Sequence, residues 1–140
     1  MASLVANNFR MLLAAGTPIF ASDTFKIILM QEGFVFNPDA HDLYANVSAS
    51  EVANGFGYTT GGNTLAGGAV TQDDVNDRAV VTWSNTSWTA AAGDIGPACG
   101  AIIYDDTVTD DPIVGYIDFD GSYTEPDGGI ATIANIKVRI

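Results

Sequence analysis

Two short apolar runs on either side of an acidic loop dominate the hydrophobic pattern of the chain. The first is Pro97-Ala98-Cys99-Gly100-Ala101-Ile102-Ile103-Tyr104. The loop is Asp105-Asp106-Thr107-Val108-Thr109-Asp110-Asp111, and the second run is Pro112-Ile113-Val114-Gly115-Tyr116-Ile117-Asp118-Phe119. Both runs are rich in β-branched and aromatic residues and are bounded by turn formers, which predicts a hairpin with a loop longer than two residues. Ala101 to Tyr104 is apolar at every position, as in a strand covered on both faces. Alternation in the second run puts Ile113, Ile117 and Phe119 on one face and Val114, Tyr116 and Asp118 on the other. The hairpin is expected to form the centre of one core, in which Ala101, Ile103, Ile113, Ile117 and Phe119 are buried together with Val81 and Trp83.

The same reading applies along the rest of the chain. Ser3 to Ala15 predicts a helix, with Ser3 as cap, Leu4, Val5, Phe9, Leu12 and Leu13 clustered on one side, and Gly16 and Pro18 as the stop. A helix this short needs a docking surface, either its own sheet or a neighbouring subunit. Asp23 to Met30 reads as a strand. Gln31 to Asp42 reads as a loop, yet Phe34-Val35-Phe36 within it is too apolar for a free loop. It is expected at a core edge, with a partner surface as the alternative. Asp42 to Asn54 reads as a short helix or turn, and Gly55 to Gly62 as a tight turn. Leu65 to Thr71 reads as a strand interrupted at Gly67 and Gly68, and Gln72 to Asp77 as an acidic loop. Arg78 to Ser84 is a strand with Ala79, Val81 and Trp83 on one face. Asn85 to Trp88 is a turn or the start of a strand, and Ala90 to Pro97 a loop. Asp120 to Gly129 is a turn-rich connection. Ile130 to Ile140 reads as one strand with Ile130, Ala134, Ile136, Val138 and Ile140 inward, and Lys137 and Arg139 outward, where they blunt an edge. About seven or eight short strands and a single helix predict a mainly β fold, a single-domain β-sandwich or jelly-roll-like fold with a short N-terminal helix. Residues 1–22 form a helix or arm and residues 23–140 the β-sandwich domain.

Charge narrows the partners. Seventeen acidic residues against five basic ones give a formal net charge of −12. Such a surface repels nucleic-acid backbones and anionic membranes, so neither is an expected partner, whereas a positively charged protein surface is compatible. The lone cysteine, Cys99, excludes an intramolecular disulfide, so stability must come from packing. No signal peptide is recognisable and no apolar run is long enough to span a bilayer, so synthesis in a cytoplasm without a cleaved export signal is expected.

Candidate chemistry is sparse. Cys99 and His41 would be a nucleophile and base only if the fold joined them, and Cys99 reads more simply as a small buried residue. The glycine-rich stretch Gly55 to Gly62 precedes no helical pattern and has no lysine nearby, so it is not a phosphate loop. Twelve of the acids lie between Asp73 and Asp127. Asp118, Asp120 and Glu125 form only a fragment of a calcium loop, because Ser122 stands where a third carboxylate or amide is needed. Asp105, Asp106, Asp110 and Asp111 could converge across the hairpin mouth on a hard cation, but read more simply as solvated loop carboxylates. One His and one Cys give no zinc spacing, and no nucleophile elbow is present. No enzymatic activity, no cofactor and no required metal are therefore expected. A carbohydrate- or receptor-binding module would show Trp83, Trp88 or tyrosines exposed along one groove.

Several pieces, in order, resemble small structural proteins of tailed bacteriophages and prophages. They are Asp23-Thr24-Phe25-Lys26-Ile27-Ile28-Leu29, Ala40-His41-Asp42, and Glu51 through Leu65 with its Gly55-Phe56-Gly57-Tyr58-Thr59-Thr60-Gly61-Gly62 core. Asn76-Asp77-Arg78-Ala79, Val81-Thr82-Trp83, Ala101-Ile102-Ile103-Tyr104 and Pro112 through Phe119 continue the series. The resemblance implies a virion component without catalytic residues. Within that class the expectation is a capsid decoration or cement protein that stabilises the head from the capsid surface. A tail or head-tail component is the alternative, and a receptor-binding module on the virion a further one. The implied partners are the major capsid protein or another virion protein, and further copies of the chain in a homo-oligomer such as a trimer. Leu4, Val5, Phe9, Leu12 and Leu13 in the N-terminal segment, and Phe34, Val35 and Phe36 in the loop, are the candidate partner contacts.

Overall fold

A computed structural model describes residues 3–17 and 20–140. The chain opens with strand β1 (Ser3–Val5) and helix α1 (Asn7–Ala14), followed by β2 (Phe25–Gln31) and a single turn of helix, α2 (Tyr44–Val47). Eight strands complete it: β3 (Asn63–Thr64), β4 (Ala69–Asp73), β5 (Arg78–Thr82), β6 (Thr86–Thr89), β7 (Ile95–Asp105), β8 (Ile113–Glu125), β9 (Ile130–Ile133) and β10 (Lys137–Arg139). The fold is mainly β, in one domain. A five-stranded sheet runs β1-β8-β7-β2-β3, a three-stranded sheet β10-β5-β4, and a two-stranded sheet β6-β9, all antiparallel. Among the described residues no helix is long and apolar enough to cross a membrane.

The β7–β8 hairpin is the middle of the large sheet, as its apolar pattern predicts. Ala101, Ile103, Ile113, Ile117, Val81 and Trp83 are all buried in one cluster, while Phe119 is only partly buried against it. Both strands are longer than their apolar runs. Backbone pairing continues from Ile95 to Glu125, and the register shifts near Ala98 absorb the extra residues around Asp120 and Gly121. Asp120 takes a left-handed conformation (φ 58°) inside the strand, so a segment that reads as a turn becomes a bulge. On β2 the two faces have different neighbours. Phe25 packs on Trp83, at 5.6 Å between ring centroids, and Leu29 shares a cleft with Trp88, so this face meets the two smaller sheets. Lys26, on the other face, lies opposite Tyr104, whose ring stacks on Tyr44 at 4.9 Å.

The N-terminal segment departs from its sequence reading. Ser3 is not a helix cap. Ser3, Leu4 and Val5 extend as an edge strand on Ile117, Tyr116 and Gly115, and α1 starts only at Asn7, with Ala6 at the N-cap. The free edge of β8 satisfies backbone groups that a helix would have left open at its first turn. The end of α1 follows the pattern. Gly16 (φ 80°) donates to Leu13 O and Thr17 to Leu12 O, both at 3.0 Å, which is a Schellman closure. Pro18, the second half of the expected stop, lies outside the described residues. Val5, Ala6 and Phe9 are buried in the core, so β1 and the start of α1 pack on the chain's own sheet.

The last strand also divides. Ile133, Ile136 and Val138 are buried, but Ile130 is 59% exposed. The buried positions change parity between residues 133 and 136, which a single flat strand cannot accommodate. Asn135 resolves the conflict with a left-handed residue (φ 54°), β9 joins β6 and β10 joins β5. Lys137 and Arg139 lie on β10, an outer strand of its sheet.

Gly62 marks the tightest approach of loop to sheet. Its φ of 73° disfavours a side chain, and a Cβ there would sit 1.8 Å from Ile27 O. Gly62→Ala should therefore cost about 3 kcal/mol or more in chemical denaturation, since backbone must move on both sides. A loss under about 1 kcal/mol would show that the 55–62 turn relaxes freely.

Candidate functional site

The two sequence segments nominated as partner contacts meet on one face. The turn after β2 carries Phe34, Val35 and Phe36 back over the large sheet to β8, and β1 brings Leu4 to the same place. Leu4, Glu32, Gly33, Phe34, Val35, Phe36, Cys99, Tyr116, Asp118, Gly121 and Ser122 line a shallow groove of about 450 Å³. Val35 is 79% exposed and Leu4 48%. The floor beneath them is rigid and aromatic. Tyr116 stacks on Phe36 at 5.5 Å and meets Phe34 edge-on at 5.6 Å, and His41 packs on both phenylalanines at 5.4 and 5.6 Å. Gly100 makes room for the Tyr116 ring, because a Cβ there would lie 2.2 Å from its hydroxyl oxygen. Asn7 fastens α1 to this region: its N–H donates to Pro38 O at 3.0 Å, and its side-chain amide donates to Asp39.

The nominated residues therefore separate into two sets. Val5, Phe9 and Phe36 are buried in the chain's own core, and no partner reaches them without unfolding the domain. Leu13 and Phe34 are partly buried against that core, and Leu12 is half-buried. Leu4 and Val35 are the two that offer apolar surface to solvent. The cause is visible in the split of the N-terminus: strand alternation turns Val5 inward and Leu4 outward, where a helix would have placed both on one side.

Both reactive side chains in this region are engaged by backbone groups. Cys99 Sγ–H donates to Gln31 O at 3.1 Å and lies 3.7 Å from the Tyr116 hydroxyl. His41 Nδ1 accepts from the Asn37 N–H at 3.0 Å. The two share one aromatic cluster, but none of these contacts joins them to each other. Burial, with the Cys99 contact second, raises the Tyr116 hydroxyl far above its ordinary range and keeps it protonated.

The acidic hairpin loop does not converge. Asp106 pairs with Lys26 at 3.3 Å, and Asp105 turns inward, where its Oδ1 accepts from the Thr107 and Val108 N–H groups at 2.9 and 3.3 Å. Asp118 accepts from the Asp120 N–H at 2.9 Å, an Asx turn. Among the described residues no three His, Cys, Asp or Glu side chains are grouped to hold a metal ion.

Trp83 and Trp88 are both buried and present no face to solvent. Tyr123, however, is 60% exposed and stands at a second cleft of about 370 Å³, between the far ends of β7 and β8 and the β6–β9 pair. Trp88, Ile95, Phe119 and Ile133 line it, with Thr124, Glu125 and Thr132 among the polar groups.

Sequence reasoning missed Glu51 altogether. It is only 5% exposed, and its carboxylate accepts from Tyr44 Oη–H at 2.6 Å, Tyr58 Oη–H at 2.7 Å and the Gly61 N–H at 2.8 Å. Tyr58 Oη in turn accepts from the Leu29 N–H at 3.0 Å, and Gln31 Nε2 donates to Glu51 O at 2.7 Å. Burial, reinforced by the bond to Glu51, pushes both phenols far above their ordinary range, so they remain donors at any physiological pH. With three donors on one carboxylate the arrangement is a structural anchor that ties the 44–62 segment to β2. The available signal was the placement of Tyr44 and Tyr58 seven residues to either side of the glutamate.

Comparison with protein-family profiles, with curated proteins and with solved structures finds no match to this chain.

Proposed function

We propose that the chain is a non-catalytic structural component of a bacteriophage particle, and that it decorates the capsid by docking through the groove between Leu4 and Val35. One observation carries the reading. Two segments far apart in sequence each place an exposed apolar side chain, Leu4 and Val35, beside one groove, over a floor of stacked rings that cannot collapse around them. Exposed apolar groups on a rigid base, rimmed by polar residues, are the form of a protein-docking surface. The rim here includes Glu32 and Asp118, and the chain carries a net charge of −12, so the fitting partner offers an apolar side chain flanked by basic ones. The likeness to phage structural proteins in the segments from Asp23 to Phe119 supports a virion as the setting. Several copies engaging neighbouring shell subunits, as in a trimer, would turn a small weak contact into firm attachment.

The test uses Val35→Asp and Leu4→Asp, both at exposed positions. Each purified variant is sedimented with particles assembled without the chain. Each should retain its melting temperature and bind at least about tenfold more weakly than the natural chain, the loss of a central apolar anchor. Undiminished binding by two folded variants would remove this face from consideration. Deleting the N-terminal segment is not a usable probe, because Val5, Ala6 and Phe9 leave the core with it.

A second reading rests on Tyr123. An exposed tyrosine beside Phe119 at a cleft rimmed by Thr124, Glu125 and Thr132 suits a saccharide, whose apolar face stacks on a ring while its hydroxyls meet polar groups. In that reading the chain is a receptor-binding module on the virion, and Tyr123→Ala abolishes adsorption to host-cell polysaccharide while leaving particle stability intact.

A further inference from the structure

We infer that the cleft between the far ends of β7 and β8 and the β6–β9 pair takes a saccharide bearing an acetamido group, whose carbonyl oxygen accepts the Trp88 indole N–H. The inference rests on the second reading above, a saccharide at Tyr123, and names the kind of sugar. It starts from one buried atom. Trp88 is only 4% exposed, and its indole borders the cleft. Its Nε1 is buried and has no acceptor among the described residues. Buried indole N–H groups ordinarily find an acceptor, and a donor left without one is costly, so this one calls for a partner. The indole is held in place. Trp88 pairs with Ala131 across β6 and β9, and the Tyr58 ring packs on it at 5.5 Å. The Tyr58 hydroxyl is itself committed to Glu51 and the Leu29 N–H.

The neighbours of the indole decide which acceptor fits. Ile95 and Ile133, both buried, line the same cleft. A sugar hydroxyl that accepted from Trp88 beside them would leave its own O–H facing apolar carbon, whereas a carbonyl oxygen brings no donor with it. A carboxylate would accept as well, but Glu125 lines the cleft and the chain carries a net charge of −12, so an anion is disfavoured. A neutral acyl group remains. In an acetamido group the methyl meets the isoleucines, the carbonyl oxygen meets the indole, and the amide N–H is left for the Glu125 carboxylate.

The mouth of the cleft selects the rest of the molecule. Tyr123, opposite Ala98 in the β7–β8 pairing, is 60% exposed, and Phe119 braces its ring edge-on at 6.2 Å. Thr124 and Thr132 bring exposed hydroxyls to the same rim from β8 and β9. A pyranose ring has one face of C–H groups to lay on the tyrosine and hydroxyls to meet the threonines, which turns an acetamido substituent inward. The volume of about 370 Å³ is of the size that small ligands occupy.

The experiment titrates the ¹⁵N-labelled chain with triacetylchitotriose and, separately, with cellotriose, which has the same linked rings with hydroxyls in place of the acetamido groups. The indole N–H signals of Trp83 and Trp88 are followed by NMR. Triacetylchitotriose should shift the Trp88 signal, leave that of Trp83, which does not line the cleft, in place, and bind about tenfold or more tighter than cellotriose. Trp88→Phe keeps an aromatic ring against Tyr58 but has no donor, so it should erase the difference between the two sugars. Tyr123→Ala should weaken both about tenfold. Equal binding of the two sugars through Tyr123 would overturn the acetamido assignment and leave the saccharide reading in place. Binding of neither would overturn both. An unmoved Trp88 signal in the saturated complex would be equally decisive against the indole as donor. That signal is identified through its contact with Tyr58, so this outcome needs no variant to fold.

Discussion

Replacing Glu51 by alanine is expected to cost about 3–5 kcal/mol of folding stability, a large part of what a domain of this size has to lose. The argument is one of counting donors. Tyr44 Oη, Tyr58 Oη and the Gly61 amide all end on this carboxylate, and the first two do so at 2.6 and 2.7 Å. Removing the acceptor strands three donors in a place with little access to water, at about 1–3 kcal/mol for each that stays unsatisfied, with some recovered by water entering the space. Glutamine is the informative companion. It restores one acceptor oxygen but turns an NH₂ group towards a second donor, so Glu51→Gln should lose about 1–3 kcal/mol. Chemical denaturation of the two variants, with Tyr44→Phe and Tyr58→Phe completing double-mutant cycles, measures the network. A loss under about 1 kcal/mol for Glu51→Ala would mean that the 44–62 segment is held by its apolar contacts alone.

Ile103→Ala should cost about 2–5 kcal/mol, the range for a fully buried aliphatic side chain whose surroundings cannot close over the gap. Ile103 has no exposed surface, pairs with Ile27 on one side and Gly115 on the other, and lies in the middle strand of the large sheet. Gly115 supplies no side chain to fill a vacancy. Ile130→Ala is the control. The alternation of the last strand reads Ile130 as inward, but it is 59% exposed on β9, and its truncation should cost less than about 0.5 kcal/mol. Equal losses at the two positions would contradict the division of the C-terminal segment into two strands on two sheets.

These two cases show what the residue pattern carries. The hairpin was legible because burial on both faces leaves an uninterrupted apolar run, and Ile103 needs nothing beyond that run to be placed. The N-terminus misled because Leu4, Val5, Phe9 and Leu12 satisfy a helical spacing, whereas the free edge of β8, a feature of the folded chain alone, drew Ser3 to Val5 into the sheet. The C-terminus misled because a left-handed asparagine at residue 135 changes parity with no glycine or proline to announce it. For the proposed docking face, the apolar character of Phe34-Val35-Phe36 and of the N-terminal segment was readable, and so was the need for both to meet something. Their convergence on Tyr116 was not, since it depends on the path of the turn after β2. Nor was the division within each segment, where Val5 and Phe36 are buried beside exposed Leu4 and Val35. Glu51 escaped notice because a single glutamate has no periodicity, and its partners are defined by the fold.

The central claim, attachment to a phage shell through the Leu4–Val35 face, is tested most directly by locating the chain in a cryo-electron-microscopy reconstruction of the intact particle. The account predicts density for this domain on the outside of the capsid, with Leu4, Val35 and the Tyr116 groove against the shell protein and the Asp106–Asp111 loop towards solvent. Density confined to the tail, or a domain on the capsid with Leu4 and Val35 facing solvent, would contradict it.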